Sequence, residues 1–172
     1  MSEPTRMVWP PGFDPRHAPV HTVNELFIPA PPGAVWAPLI HAALWPTWYA
    51  NSRNVRLEGE GELLGPETRF RWTTFGVPVR TVVEEFGPPH RLAWRGEGLG
   101  ARGYHAWTLL PVAGGTRVVT EEVQFGLVPR LGRGLLRAAL LREHQRWLKG
   151  LSRLACAAER VKGARRSGKP LG

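Results

Sequence analysis

The sequence predicts an α+β domain in which an antiparallel β-sheet curves around one long C-terminal helix. Three observations support this fold class. Short β-patterns joined by turns fill the middle of the chain, two short helical segments follow the first of them, and one long amphipathic helix comes last. Strands joined by short turns pair antiparallel, and a long apolar helix face needs a broad apolar partner. Only the sheet can supply it, because the sequence predicts no second long helix.

The predicted elements follow in order from a proline-rich, irregular arm at residues 1–20, where Trp9 and Phe13 are large apolar groups able to dock. The first strand is predicted at residues 21–28, and helical spacing then favours residues 34–42 and 44–49. Alternating apolar residues bounded by glycine and proline predict six further strands, at residues 54–60, 69–74, 77–86, 91–96, 103–110 and 116–125.

The long helix is predicted at residues 131–161. Its apolar residues recur in steps of three and four, and His144 lies on the same line. The single domain therefore spans residues 21–161, and residues 162–172 form a basic tail that we expect to be disordered. The apolar line consists of Leu136, Leu140, Trp147, Leu151, Leu154 and Ala158.

Composition limits the compartment and the class of protein. A chain of 172 residues with ordinary apolar and charged fractions is most simply one globular domain. Its one cysteine, Cys156, excludes an intramolecular disulfide, which fits a reducing compartment. The N-terminus lacks the apolar run of a signal peptide, and no stretch reaches the ~20 apolar residues of a membrane span. We therefore expect a cytoplasmic protein.

The net charge of +9 is concentrated at the C-terminus: twelve of the 23 Lys and Arg, but only two of the 14 acidic residues, occur from Arg130 onward. Such a distribution can attract an anionic membrane or nucleic acid. The favoured interpretation is a solvated helix face followed by a basic tail, and no nucleic-acid partner is expected. Weak contact with an anionic membrane through this helix and tail stays open.

The sequence shows no motif for a metal, a cofactor or covalent catalysis. Residues 98–103 match G-x-G-x-x-G, but an alternating β-pattern follows them where a dinucleotide site needs a helix. We interpret residues 96–103 as a glycine-rich hairpin loop that can act as a gate. Zinc-ligand spacing and a nucleophile elbow are both absent, and Asp14 is the only aspartate. We therefore predict neither metal ligands nor a cofactor.

Eight tryptophans are the most unusual feature of the composition. Four of them lie on strand faces or on the helix line that should point inward, where they either pack as core or line an apolar cavity. Polar groups among them are His105, Glu122 and His144. The face of Glu122 is open: buried, it would have a raised pKa and act as acid or base, and exposed it would do nothing. The candidates for catalysis are Glu122 and His105. The residues predicted to bind a ligand are Phe70, Trp72, Trp94, His105, Trp107, Leu109, Glu122, Leu140, His144, Trp147 and Leu151.

Residues 21–161 resemble the START-like, polyketide cyclase/dehydrase and lipid-transport (SRPBCC) superfamily. The resemblance implies a helix-grip fold, in which a seven-stranded antiparallel sheet grips the long helix and two short helices close one end. It also implies an internal cavity for an apolar or aromatic small molecule. The matching motifs are Ile28-Pro29-Ala30-Pro31, Val35-Trp36, Trp45-Pro46-Thr47-Trp48, Gly65, Phe70-Arg71-Trp72, Leu92-Ala93-Trp94, Trp107-Thr108-Leu109, Gly114-Gly115-Thr116, and Glu122 four residues before Gly126.

Three functional hypotheses remain. The leading one is a non-catalytic binder of a hydrophobic small molecule or lipid. The second is a cyclase, aromatase or dehydratase acting on a polyketide-like substrate in the same cavity, in which Glu122 or His105 moves protons. The third is a module that docks on a membrane or a partner through the basic face of the helix.

Overall fold

The computed structural model of the protein describes residues 8–59 and 61–166. In these ranges the chain forms seven β-strands, four α-helices and two short 3₁₀ turns, at Pro15–His17 and Ala42–Leu44. The strands are β1 Val20–Ile28, β2 Arg53–Leu57, β3 Arg69–Thr74, β4 Val77–Gly87, β5 Arg91–Gly98, β6 Ala101–Val112 and β7 Gly115–Gly126. The helices are α1 Pro32–Ile40, α2 Trp45–Trp48, α3 Leu127–Leu131 and α4 Arg133–Arg166.

All seven strands belong to one antiparallel sheet in the order β1-β7-β6-β5-β4-β3-β2. Strands β2 to β7 form a continuous meander, and β1 returns to pair with β7. The long helix α4 packs on one face of this sheet. The predicted fold class is therefore confirmed, including the two short helices after the first strand.

The inner face of the sheet is closed by aromatic packing around Trp45, in the short helix α2. This ring is fully buried, its Nε1 donates a hydrogen bond to the carbonyl oxygen of Leu39 at 3.0 Å, and it contacts the rings of Trp72, Trp94 and Trp147. Aromatic rings meet at 5.1–5.6 Å in these contacts, within the usual range for edge-to-face and tilted pairs. One end of the space between sheet and α4 is thus solid core.

The buried line of α4 differs from the predicted one at its C-terminal end. Leu140, His144, Trp147 and Leu151 are buried as expected, and Ala155 is the last buried residue of the helix. Leu154 and Ala158 are exposed. Among the described residues of the helix, none after Ala155 is buried, and helical spacing alone cannot show where the buried part of a helix ends.

Both ends of the chain can be compared with prediction. The predicted disordered tail is wrong for residues 162–166, because α4 extends to Arg166, and residues 167–172 lie outside the described residues. The N-terminal arm docks as expected: Phe13 is buried against Tyr104 on the outer face of the sheet, and Trp9 contacts the same ring. Among the described helices, none is long and apolar enough to cross a bilayer.

The glycine-rich segment at residues 96–103 is a hairpin, as the sequence suggested, but it is paired almost to its tip and is not an open loop; its role as a gate stays a prediction. Strands β5 and β6 continue through it, with Gly96 opposite Gly103 and Gly98 opposite Ala101. Only Leu99 and Gly100 remain for the turn, and both have positive φ, as in a type I′ hairpin. Because strand pairing extends to Gly98 and Ala101, only this two-residue turn remains as the tip of the hairpin.

Candidate functional site

A cavity of about 140 Å³ lies between the inner face of the sheet and the N-terminal half of α4. It opens at the end of the molecule formed by the β3–β4 turn, the β5–β6 turn and α3. Phe75, Leu99 and Val128, one from each of these segments, line the cavity and are also exposed to solvent. The mouth therefore lies at the end opposite the closed Trp45 core.

The cavity exists because inward-facing positions near the mouth carry little or no side chain. On β5 and β6 the residues that line it alternate with outward-facing ones, as the period of a strand requires. Three of these inward positions are glycines, Gly96, Gly98 and Gly103, and a fourth is Ala101. Farther along the same two strands, Trp94 and His105 occupy the corresponding face. The glycine-rich motif thus keeps side chains out of this part of the inner face, and at Gly98 it also permits close strand packing, since a Cβ there would lie 2.5 Å from the Pro78 carbonyl oxygen.

Aromatic rings form the deep wall of the cavity. Trp72, Trp94 and Trp147 line it, and the ring of Tyr49 stacks on Trp147 with centroids 4.5 Å apart. Burial raises the pKa of Tyr49, so its hydroxyl stays protonated at neutral pH. The Nε1 of Trp147 is buried and has no hydrogen-bond partner among the described residues. A buried donor of this kind is usually satisfied in a folded protein, so this N–H is an unused hydrogen-bond donor in the aromatic wall.

A polar cluster of His105, Glu122 and His144 occupies one side of the cavity. Strand pairing sets His105 of β6 directly opposite Glu122 of β7, and α4 brings His144 above them. The Nε2 of His144 donates to Glu122 Oε2 at 2.9 Å, and His105 Nδ1 lies 3.5 Å from the same oxygen. The two imidazole rings stack with centroids 4.6 Å apart. The cluster is therefore one compact unit.

Two further side chains hold this cluster in place. Thr120 Oγ1 lies 2.6 Å from His105 Nε2, which orients the ring so that Nδ1 points to Glu122. Gln124 Nε2 donates to Glu122 Oε1 at 2.6 Å and leaves Oε2 to the two histidines. The Nδ1 of His144 is buried and has no hydrogen-bond partner among the described residues.

Burial and neighbouring groups decide the charges in the cluster. Burial lowers the pKa of His105 to about 3, against the opposing pull of Glu122, so this ring is neutral at neutral pH. Burial also opposes ionisation of Glu122, but interactions with His105 and the hydrogen bonds from His144 and Gln124 outweigh it and lower its pKa to about 2. A raised pKa was the expectation for a buried Glu122; the expectation is wrong because three polar partners stabilise the carboxylate.

The predicted ligand-binding residues fall into two groups. Six of them line the cavity: Trp72, Trp94, His105, Glu122, His144 and Trp147. The other five are at most 1% exposed and do not line it: Phe70, Trp107, Leu109 and Leu151 belong to the closed core, and Leu140 is buried outside that cluster. The alternatives of cavity and packed core are thus both realised, at opposite ends of the same inner face.

Several residues of the site were not predicted to bind a ligand. Tyr49, Thr81, Gln124 and Leu136 line the cavity, and Thr120 supports His105. The β7 residues among them lie two positions from Glu122, so strict alternation along that strand would have identified them. Tyr49 follows α2, and only the path of the chain after that helix brings it to the cavity.

His105, Glu122 and His144 also form a group that could hold a metal ion. One nitrogen or oxygen atom from each lies within 4.8 Å of the others, and all three side chains are buried. No metal-ligand spacing was found in the sequence. The three residues come from β6, β7 and α4, so their proximity is a product of tertiary structure and leaves no local motif.

Comparison with known proteins identifies the family. The family model described as "Polyketide cyclase / dehydrase and lipid transport" matches residues 19–159, most of the chain. The chain belongs to this family. The family resemblance, the helix-grip fold and the internal cavity are all consistent with a ligand-binding domain. A search of curated proteins finds no match.

Solved structures agree with this assignment. The chain is similar to the hypothetical protein jhp0584 from Helicobacter pylori, with 31% identity, a TM-score of 0.82, and 90% of this chain and 99% of that chain covered. It is also similar to TTHA0849 from Thermus thermophilus, with 25% identity, a TM-score of 0.67, and coverage of 80% and 98%. The Zhui aromatase/cyclase from Streptomyces sp. R1128 shares the fold at 16% identity, with a TM-score of 0.64 and coverage of 78% and 92%.

Proposed function

We propose that this protein binds a small apolar or aromatic molecule in the cavity and orients its polar end with His105, Glu122 and His144. The observation that carries the proposal is the composition of the cavity wall: aromatic rings on one side and one compact polar cluster on the other. Ligand sites typically combine an apolar lining with a few convergent polar groups.

The size of the cavity limits what can enter. An engineered apolar cavity of roughly 150 Å³ in another protein holds one benzene molecule, and the cavity here has about 140 Å³. It therefore accommodates a single ring or a short chain segment. A larger ligand would place one such part inside and extend through the mouth between Phe75, Leu99 and Val128.

The polar cluster favours a ligand that carries a hydroxyl group. The carboxylate of Glu122 is a hydrogen-bond acceptor on the cavity wall, where it already accepts from Gln124 and His144. A phenolic hydroxyl can donate a further hydrogen bond to this carboxylate while its ring occupies the apolar part. An apolar ring without a hydroxyl makes no such bond.

Titration of the full-length protein with phenol and toluene tests this proposal, with tryptophan fluorescence and NMR shifts as readouts. Phenol should bind one to one and more tightly than toluene. Replacing Leu136 in the cavity wall by Trp should fill the space and weaken phenol binding about tenfold or more. Ala138→Trp, on the exposed side of the same helix, is the control and should leave binding unchanged.

The binding proposal fails if phenol does not bind the wild-type protein, or if Leu136→Trp and Ala138→Trp bind it equally well. Native mass spectrometry and organic extraction of the purified protein add an independent readout. A co-purifying apolar compound with a ring and a hydroxyl or carbonyl group would support the proposal and identify the ligand.

A second candidate function is catalysis of the cyclase, aromatase or dehydratase type. The observation in its favour is the hydrogen bond of 2.9 Å between His144 and Glu122 on the wall of the cavity, a pair able to take and return a proton beside a bound substrate. An aromatase/cyclase also shares the fold, at 16% identity. The cavity would hold one forming ring at a time.

Glu122→Gln tests this candidate, because Gln keeps the shape of the side chain and removes its basicity. With a short poly-β-ketone thioester as substrate, turnover should be lost while the variant keeps its fold by circular dichroism. Unchanged turnover would rule out Glu122 as the proton-transfer group, and no turnover by the wild-type protein would leave binding as the favoured function.

We also propose that the mouth end of the molecule contacts an anionic membrane surface, where an apolar ligand can be exchanged. Leu131 and Leu135 are 80% and 85% exposed, which is unusual for large apolar side chains grouped near one opening. Between Leu127 and Arg142 the chain carries basic residues and no acidic ones. We call the exposed group the apolar rim; it consists of Phe75, Leu99, Leu127, Leu131 and Leu135.

The proposed contact differs from the one that the sequence suggested. The sequence left open a weak contact through the basic face of α4 and the tail, whereas the apolar rim lies at the start of α4 and includes two hairpin turns. Arg130, Arg133 and Arg137 are exposed beside it. Apolar side chains that insert and cations that face lipid headgroups are the usual combination in interfacial segments.

A further inference from the structure

We propose that His105, Glu122 and His144 form a binding site for a divalent transition-metal ion on the wall of the cavity. The donor atoms would be His105 Nδ1, Glu122 Oε2 and His144 Nε2. The inference goes beyond the proposed ligand binding, and it stands on the geometry of the cluster without any assumption about the organic ligand.

The donor atoms are already close to the spacing that a metal ion needs. Ligand bonds of about 2.0–2.2 Å place neighbouring donors roughly 3–3.5 Å apart. Glu122 Oε2 lies 2.9 Å from His144 Nε2 and 3.5 Å from His105 Nδ1. All three donor atoms lie within 4.8 Å of one another. Small rotations of the two imidazole rings would bring both nitrogens to one ion.

The surrounding hydrogen bonds select these donor atoms. The other nitrogen of His105 is engaged by Thr120, and the other oxygen of Glu122 accepts from Gln124. Metal-binding histidines and carboxylates typically have such outer partners, which fix the ring orientation and the free donor atom. Two of the three proposed ligands therefore carry the support that a metal site requires.

The negative charge of Glu122 also favours a bound cation. Glu122 is a buried carboxylate, and its hydrogen-bond and ion-pair partners among the described residues are His105, His144 and Gln124, with no Lys or Arg. An ionised carboxylate away from water is costly unless a cation or several hydrogen bonds compensate for it. The three polar partners supply part of this compensation, and a divalent ion would add the positive charge that they lack.

The donor set indicates the class of metal. Two imidazoles and one carboxylate suit Zn²⁺, Co²⁺ or Fe²⁺, whereas Mg²⁺ and Ca²⁺ prefer oxygen ligands throughout. Three protein ligands leave at least one position open to water or to a ligand oxygen. Since all three residues line the cavity, that open position would face the bound molecule.

The test uses the full-length, tag-free protein after chelation and dialysis, titrated with Co²⁺ and, separately, Zn²⁺. We expect one ion per chain, visible d–d absorption of bound Co²⁺, and a higher unfolding temperature with Zn²⁺. Glu122→Gln and His144→Asn should each weaken binding about tenfold or more. His17→Asn, which changes an exposed histidine far from the cluster in sequence, should leave binding unchanged.

The proposal is overturned if the wild-type protein shows no stoichiometric binding, or if Glu122→Gln and His144→Asn bind as the wild type does. Circular dichroism of each variant separates loss of the site from loss of the fold. Because phenol binding is measured without metal, failure of the metal site leaves the proposed ligand binding standing, and failure of phenol binding leaves the metal site standing.

Discussion

At the scale of single residues, Gly150 shows how closely α4 is packed. A helix interior ordinarily disfavours glycine by about 1 kcal/mol relative to alanine. At Gly150, however, a Cβ atom would lie 2.7 Å from Cε3 and 2.9 Å from Cζ3 of the Trp48 ring. The glycine is therefore required by contact with α2, and its removal should reverse the usual effect of a glycine-to-alanine change.

We predict that Gly150→Ala lowers the free energy of unfolding by about 1–3 kcal/mol, the usual cost of overpacking. Gly134→Ala is the matched control, since it lies in the same helix and nothing approaches its added Cβ within 4 Å. This control should raise stability by up to about 1 kcal/mol. Urea unfolding of both variants measures the difference, and a stabilised Gly150→Ala would contradict the packing described here.

At the scale of elements, two hairpin turns at the mouth share an unusual feature. Phe75-Gly76 joins β3 to β4, Leu99-Gly100 joins β5 to β6, and all four residues have positive φ. Two-residue turns of this kind favour Asn or Asp before Gly, because a side chain in the left-handed region costs roughly 1–2 kcal/mol. Large apolar residues in strained positions at an exposed site suggest a function that offsets the cost.

We predict that Leu99→Asn raises the free energy of unfolding by about 0.5–1 kcal/mol, since Asn tolerates the left-handed conformation and Leu99 buries little apolar surface. The same change should weaken membrane contact. Thermal unfolding and vesicle sedimentation measure the two effects on one variant. A destabilised Leu99→Asn would show that the side chain packs in the fold instead of serving the surface.

At the scale of the whole molecule, the fold has a closed end and an open end. Trp45 and its aromatic neighbours fill the closed end, while the cavity, the apolar rim and three exposed arginines occupy the open one. Apolar side chains and positive charge at the same opening connect the proposed ligand binding with the proposed membrane contact. A ligand that leaves the cavity passes through the surface that would contact lipid.

We predict that the protein sediments with vesicles of phosphatidylcholine and phosphatidylglycerol and only weakly with phosphatidylcholine alone. Binding should fall as salt is added, because screening weakens the attraction of Arg130, Arg133 and Arg137 to the headgroups. Leu131→Asp should reduce binding severalfold, while Leu154→Asp, on an exposed part of α4 away from the rim, should not. Equal binding by both variants, or no binding at low salt, would contradict the membrane proposal.

The sequence by itself determined the elements and the fold class. Strand and helix periodicities are local. Alternation along residues 69–74 therefore predicted the bounds of β3, and apolar spacing around Trp147 predicted the buried face of α4 from Leu140 to Leu151. The motifs at Trp45 and Trp94 then indicated the helix-grip family. These features needed no knowledge of which strand lies beside which.

Only the tertiary structure decided where the inner face is solid and where it is open. The same alternation places Trp107 and Gly103 on one face of β6, but the first is closed in core and the second borders the cavity. The pairing of His105 with Glu122 depends on the register of β6 and β7, and His144 reaches them through the packing of α4. Register and packing arise from contacts between distant parts of the chain. For that reason the sequence indicated His105, Glu122 and His144 as polar groups of the cavity but not the contacts among them.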